Sequence, residues 1–151
     1  MKQQFVFLPR ALVLILAVLC FQSFSTNGGG DYYKVLLNGR LVAEQYLTKP
    51  VALKALSLNT ANHNDKLTVY YSHCGQAGKS RSITLRNGNR KILKEWKFSD
   101  SPSQEMQVPV DEVLAASSKQ TSVSLYYASK EIPSARELIE LNLSATAMSR
   151  R

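Results

Sequence analysis

Lys66-Leu67-Thr68-Val69-Tyr70-Tyr71-Ser72-His73 alternates without a break. Leu67, Val69 and Tyr71 fall on one side of an extended chain and Thr68, Tyr70 and Ser72 on the other, the period of two that marks a half-buried strand. Toward the N-terminus, a polar loop over residues 59–65 separates this stretch from an apolar run at 51–58, which follows Pro50. Before that, residues 32–37 and 40–47 flank Asn38-Gly39. Asn and Gly tolerate the positive φ of a type I′ turn, so this pair is the strongest short hairpin signal in the chain. The facing of that hairpin is open: Leu36 and Leu41 share one side, Val35 and Val42 the other.

Toward the C-terminus, residues 75–80 form a turn. Residues 81–86 and 91–98 make a second hairpin around Gly88-Asn89. Pairing Asn87 with Arg90 sets Leu85 opposite Ile92, Arg81 opposite Trp96 and Thr84 opposite Leu93. Lys94 is then the misfit: it lands inward beside Ile83, and its ammonium has to snorkel out. Residues 106–110 read as a short strand at a sheet edge, because Pro109 cannot donate to a ladder. Residues 111–118 are the one helical candidate, with acids in the first turn where the helix dipole favours them. Strands at 121–127 and 136–144 complete the pattern, and no internal repeat is present. Eight or nine short strands with closely spaced turns and one short helix predict an all-β fold, an antiparallel β-sandwich; the alternative is a small β-barrel.

The first 25 residues read differently. Lys2 and Arg10 precede an uninterrupted apolar run over residues 11–20, and Ser23-Phe24-Ser25 follows as a small-x-small cleavage site. These are the three parts of a secretory signal. The run is too short for a spanning helix, which needs about 20 apolar residues, so no membrane span is expected. The chain is predicted to be exported, to the periplasm or beyond the cell, after cleavage near Ser25. The alternative address is a lipoprotein anchored at Cys20, although Leu19 stands where a lipobox wants a small residue. The organisation expected is a signal at 1–25, a flexible leader at 26–31, one β-sandwich domain at 32–144 and a frayed tail at 145–151.

The whole chain has 151 residues and a formal charge of +8. Without the signal it loses two of those positive charges and one of its two cysteines, leaving Cys74 alone. An exported domain with a single cysteine has no internal disulfide, so its core must carry the fold.

Ser72-His73-Cys74-Gly75 is the first candidate for chemistry, since an imidazole beside a thiol can take its proton. Cys74, with His73 or His63, is therefore the candidate centre of a thiol-dependent enzyme. The order differs from the Ser-His-Gly-Cys of L,D-transpeptidases, and His63 lies too close upstream for the sortase pattern. In an extended strand His73 and Cys74 also point to opposite faces. A four-ligand metal shell would need carboxylates that no spacing identifies, so no metal and no cofactor are expected.

The basic cluster weighs more. Lys79, Arg81, Arg86, Arg90, Lys91, Lys94 and Lys97 crowd around the second hairpin with Glu95 as the only acid among them. Arg86, Lys91 and Lys97 are placed on one face and Arg90 at the turn. Such a concentration suits an acidic glycan, a lipid head group or an acidic envelope protein. Tyr70 and Tyr126, the outward members of two Tyr-Tyr pairs, would add flat amphipathic rings. No nucleic-acid motif is present. The leading expectation is an exported, non-enzymatic binding module of the cell envelope whose ligand residues are Arg86, Arg90, Lys91, Lys97, Tyr70 and Tyr126. The alternatives are the Cys74 enzyme and a structural envelope component.

Overall fold

The structure, a computed structural model, describes residues 30–47, 52–101 and 103–144. The expected signal, Cys20, Ser25, most of the leader and the tail at 145–151 lie outside the described residues. Among the described residues nine strands form two sheets. One sheet has the order β2-β1-β4-β7: β1 is Tyr32–Leu37, β2 Arg40–Tyr46, β4 Lys66–Ser72 and β7 Glu105–Pro109. The other has the order β3-β9-β8-β5-β6: β3 is Lys54–Asn59, β5 Ser82–Asn87, β6 Ile92–Lys97, β8 Ser122–Ala128 and β9 Arg136–Ser144. The fold is a β-sandwich. The two sheets remain separate and do not close into a barrel.

The alternation in β4 does what its sequence dictates. Leu67, Val69 and Tyr71 are fully buried, and Tyr70 on the other face is half-buried. The inward sets of the facing strands complete the core: Tyr33 and Val35 from β1, Met106 and Val108 from β7, Ile83 and Leu85 from β5, Val123, Leu125 and Tyr127 from β8, and Ile139 and Leu141 from β9. The facing of the first hairpin is thereby fixed. Val35 and Ala43 point inward, while Leu36 and Leu41 pair on the outer face, with Leu41 about half exposed. Asn38 and Gly39 both have positive φ, as a type I′ turn requires. β7, with its proline, is an edge strand.

Two features depart from the expected pattern. β3 runs parallel to β9, Lys54 beside Ile139 and Asn59 beside Ser144, in a sandwich otherwise paired antiparallel. The β5–β6 register also differs. Leu85 faces Lys94 and not Ile92, Ile83 and not Arg81 faces Trp96, and Thr84 faces Glu95 and not Leu93. The reason is a bulge at Leu93 combined with a wider turn. Arg90 takes a left-handed φ of 60°, its N–H donates to the Asn87 carbonyl, and the Asn87 N–H donates to the Lys91 carbonyl. The Asn87 side chain also accepts from the N–H groups of Asn89 and Lys91. This is a type I turn closed by a left-handed residue, which adds a residue to the loop.

Lys94 does face inward, and helix α1 (Val110–Ala116) receives it. The Lys94 ammonium lies 2.8 Å from the Glu112 carboxylate, and the Trp96 indole N–H donates to the same group at 2.6 Å. These two partners hold the Glu112 carboxyl below the usual carboxylate range. The polar loop before β4 contains a 3₁₀ turn (Thr60–Asn62) closed by a reciprocal cap between Asn59 and Asn62. No helix among the described residues is long and apolar enough to cross a membrane.

Candidate functional site

At one end of the sandwich the core becomes polar. His73, the residue after β4, keeps the inward parity of Leu67, Val69 and Tyr71. Its ring centroid lies 4.8 Å from that of Tyr71, which stacks on Tyr127 at 4.1 Å and 11°. His73 Nε2 is 3.0 Å from the Tyr127 hydroxyl and 3.2 Å from Ser129 Oγ, while Nδ1 is 3.5 Å from Asp31 Oδ2. The Tyr71 hydroxyl donates to that same carboxylate oxygen at 3.0 Å. In the neutral imidazole the Nδ1 proton faces Asp31 and Nε2 accepts from a hydroxyl. Burial raises the pKa of both phenols, reinforced for Tyr71 by its bond to Asp31.

Asp31, His73 and Ser129 follow the order of a nucleophilic triad, but the nucleophile is sealed in. Ser129 is 5% exposed. A Cβ on Gly78 would meet the Tyr127 hydroxyl at 2.5 Å, and both His73 Nε2 and Ser129 Cβ at 2.9 Å. The Gly78 backbone thus packs against the Tyr127 hydroxyl, the His73 ring and Ser129 Cβ, on the side from which an acyl group would have to reach Ser129. What the cluster does is join the two sheets: Tyr71 and His73 belong to the four-stranded side, Tyr127 and Ser129 to the five-stranded side, and Asp31 leads into β1. Arg81 reinforces this end. It is 2% exposed, and its two terminal nitrogens donate to the Ser99 and Ser103 carbonyls at 2.7 and 2.8 Å, pinning that loop.

The thiol candidates separate. Cys74 and Gly75 have left-handed φ values of 52° and 91°, in a tight turn closed by reciprocal backbone bonds between His73 and Gln76. Cys74 is exposed at that turn while His73 points into the core. His63 follows the 3₁₀ turn, its Nδ1 3.2 Å from the Thr60 carbonyl. It lies beyond the opposite end of β4, roughly 20 Å away for a strand of that length. Among the described residues no three His, Cys, Asp or Glu side chains gather as a metal site would need.

The structure divides the basic cluster. Arg81 is inside, Lys94 is held by Glu112, and Lys97 lies 3.8 Å from Glu95. Lys97 also sits at the far end of β6, roughly 17 Å along the strand from Ile92. Arg86, Arg90 and Lys91 form no ion pair among the described residues. Arg86 lies over the Tyr126 ring at 4.6 Å and is steadied by a 3.1 Å bond from its Nε to Thr84 Oγ1. The Tyr126 hydroxyl donates to Glu137 at 2.8 Å. Burial raises the Tyr126 pKa and the Glu137 bond adds to it, against the positive fields of Arg90 and Arg86. The Arg86 guanidinium thus covers the Tyr126 ring next to a turn on which Arg90, Lys91 and Ile92 are exposed.

Tyr70 belongs to the outer face of the other sheet, where Lys34 lies over its ring at 4.5 Å. It does not join Tyr126. The sequence reading missed Asp31, Ser129 and Gly78, whose roles arise only when distant segments meet. No protein-family model matches this chain, and no curated protein matches it.

Proposed function

We propose that this chain is an exported, non-enzymatic interaction module that recognises an acidic partner through the turn end of the β5–β6 hairpin. The observation that carries the reading is Arg86 stacked on Tyr126 beside the turn on which Arg90 stands exposed. Lys91 is exposed beside them, and none of the three cations is neutralised by a carboxylate among the described residues. Elsewhere in the hairpin Lys94 is paired with Glu112 and Lys97 stands at the far end of β6, so the charge at the turn is that of these three. Arg86 is set for planar recognition of carboxylate, sulfate or phosphate oxygens, since a guanidinium stacked on a ring keeps its N–H edge for a second partner.

The test is binding of heparin, a polyanionic glycan, by titration calorimetry at low and at physiological salt. Wild-type protein binds, and affinity falls as salt rises. The variant Arg86→Glu/Arg90→Glu/Lys91→Glu loses binding while keeping its melting temperature. Undiminished binding by that variant would remove the patch from the reading.

A further inference from the structure

The β5–β6 turn is one of two such tips at the same end of the sandwich. The Asn38 N–H donates to the Lys66 carbonyl and the Asn38 side chain to Asp65, while the Val110 N–H donates to the Asp65 carbonyl at the head of α1. β3 ends beside Ser144, the Leu143 N–H donates to the Thr121 carbonyl, and Val123 pairs with Asn87. This chain of neighbours places the β1–β2 turn, the head of α1, the end of β9 and the β5–β6 turn on one end face. The two tips repeat a pattern. Asn38-Gly39 is followed by Arg40-Leu41, and Asn87-Gly88-Asn89 by Arg90-Lys91-Ile92. In each, exposed cation is followed by exposed aliphatic: Leu41 is 49% and Ile92 52% exposed.

β2 and β6 lie at opposite edges of the sandwich, so the tips stand roughly 20 Å apart, about four strand spacings. A small anion cannot engage both. A flat, negatively charged surface can, and it also accommodates two aliphatic side chains at the level of its head groups. Lys66 and Lys119 are exposed at the same end. The acids near this end include Asp65, Asp111, Glu112 and Glu140, the last accepting from the Ser122 hydroxyl at the start of β8. Asp65 is tied to Asn38 and Asn62, Glu112 to Lys94 and Trp96, and Asp111 is exposed. Two cavities of about 400 and 360 Å³, bordering Gly78 and Phe98, open at the other end, away from the tips.

We propose that this end face docks on an anionic phospholipid surface, with Arg40, Arg90 and Lys91 at the phosphate level and Leu41 and Ile92 entering the head-group boundary. The proposal rests on the acidic-partner reading above and names the partner. Each such cation contributes roughly fivefold to affinity for an anionic surface.

The test is site-resolved hydrogen exchange on the full chain with three additions: phosphatidylglycerol–phosphatidylcholine vesicles, pure phosphatidylcholine vesicles, and heparin. The readout is protection at the two turns. The mixed vesicles slow exchange at residues 38–41 and 87–92 together, and neutral vesicles do not. Arg40→Glu/Arg90→Glu/Lys91→Glu weakens that protection about a hundredfold or more, while the charge-matched Lys79→Glu/Lys97→Glu/Lys130→Glu retains it. Equal protection by neutral vesicles, equal loss in the matched variant, or protection of the β5–β6 turn alone would each overturn the docking surface. Heparin protection without vesicle protection overturns it too, yet leaves the acidic-partner reading standing. Protection by neither overturns both.

Discussion

The two ends of this sandwich handle polar residues in opposite ways. At one end Tyr71, His73, Tyr127 and Ser129 are bonded to one another and to the partly exposed Asp31 at the rim of the core, with the terminal nitrogens of Arg81 bonded to the carbonyls of the 99–103 loop. At the other, Arg40, Arg90 and Lys91 stand exposed on two turns, and the one inward lysine there, Lys94, is neutralised by Glu112. The lesson concerns where function can reside. A buried polar network is costly to disturb and closed to ligands, whereas unpaired surface charge contributes little to folding and is free to bind.

The comparison can be broken hardest at Gly78. A valine there drives carbon atoms into the Tyr127 hydroxyl and the His73 ring, and the expected cost is about 3 kcal/mol. Urea denaturation measures it, and an unchanged midpoint would mean that the polar end is loosely packed. Alkali strikes the same end. Burial raises the pKa of Tyr33, Tyr71 and Tyr127 in the folded state, so their contribution to stability is full below the unfolded tyrosine value of about 10 and is lost as pH rises above it. Melting temperature is therefore expected to fall steeply beyond that point, in step with the tyrosinate absorbance. Tyr127→Phe removes one hydroxyl from His73 and costs about 1–2 kcal/mol by the same denaturation assay. At the opposite end, Arg90→Glu with Lys91→Glu changes stability by no more than about 0.5 kcal/mol. A larger loss there would show that the basic tip has a structural duty.

Much of the fold was legible because it rests on local signals. The period of two in Lys66–Ser72, the Asn38-Gly39 turn and the proline that confines Glu105–Pro109 to an edge are each read within a few residues. The β5–β6 register was not, because a bulge at Leu93 and a left-handed Arg90 leave no trace in the apolar pattern. Inward-facing Lys94 was recognised as a misfit, but its partner sits on a helix 18 residues further along. Of the candidate site, the basic charge was visible and its division was not. Arg81 and Lys97 look equivalent to Arg90 in sequence, and only the packing separates a buried guanidinium and a paired ammonium from a free one. Residues such as Asp31, His73 and Ser129, far apart along the chain, could not be associated before the sheets were assembled.

The parallel pairing of β3 with β9 has a consequence for how the molecule comes into being. Among the described residues β3 is an edge strand paired with β9, the last strand along the chain. As the chain is synthesised, residues 54–59 must wait until residues 136–144 arrive before their ladder can close, a non-local step of the slow kind. Throughout that interval the β3 backbone is open to the wrong partner. Lys54, Ser57 and Asn59, exposed or half-exposed along it, are the residues that keep the waiting strand from being captured.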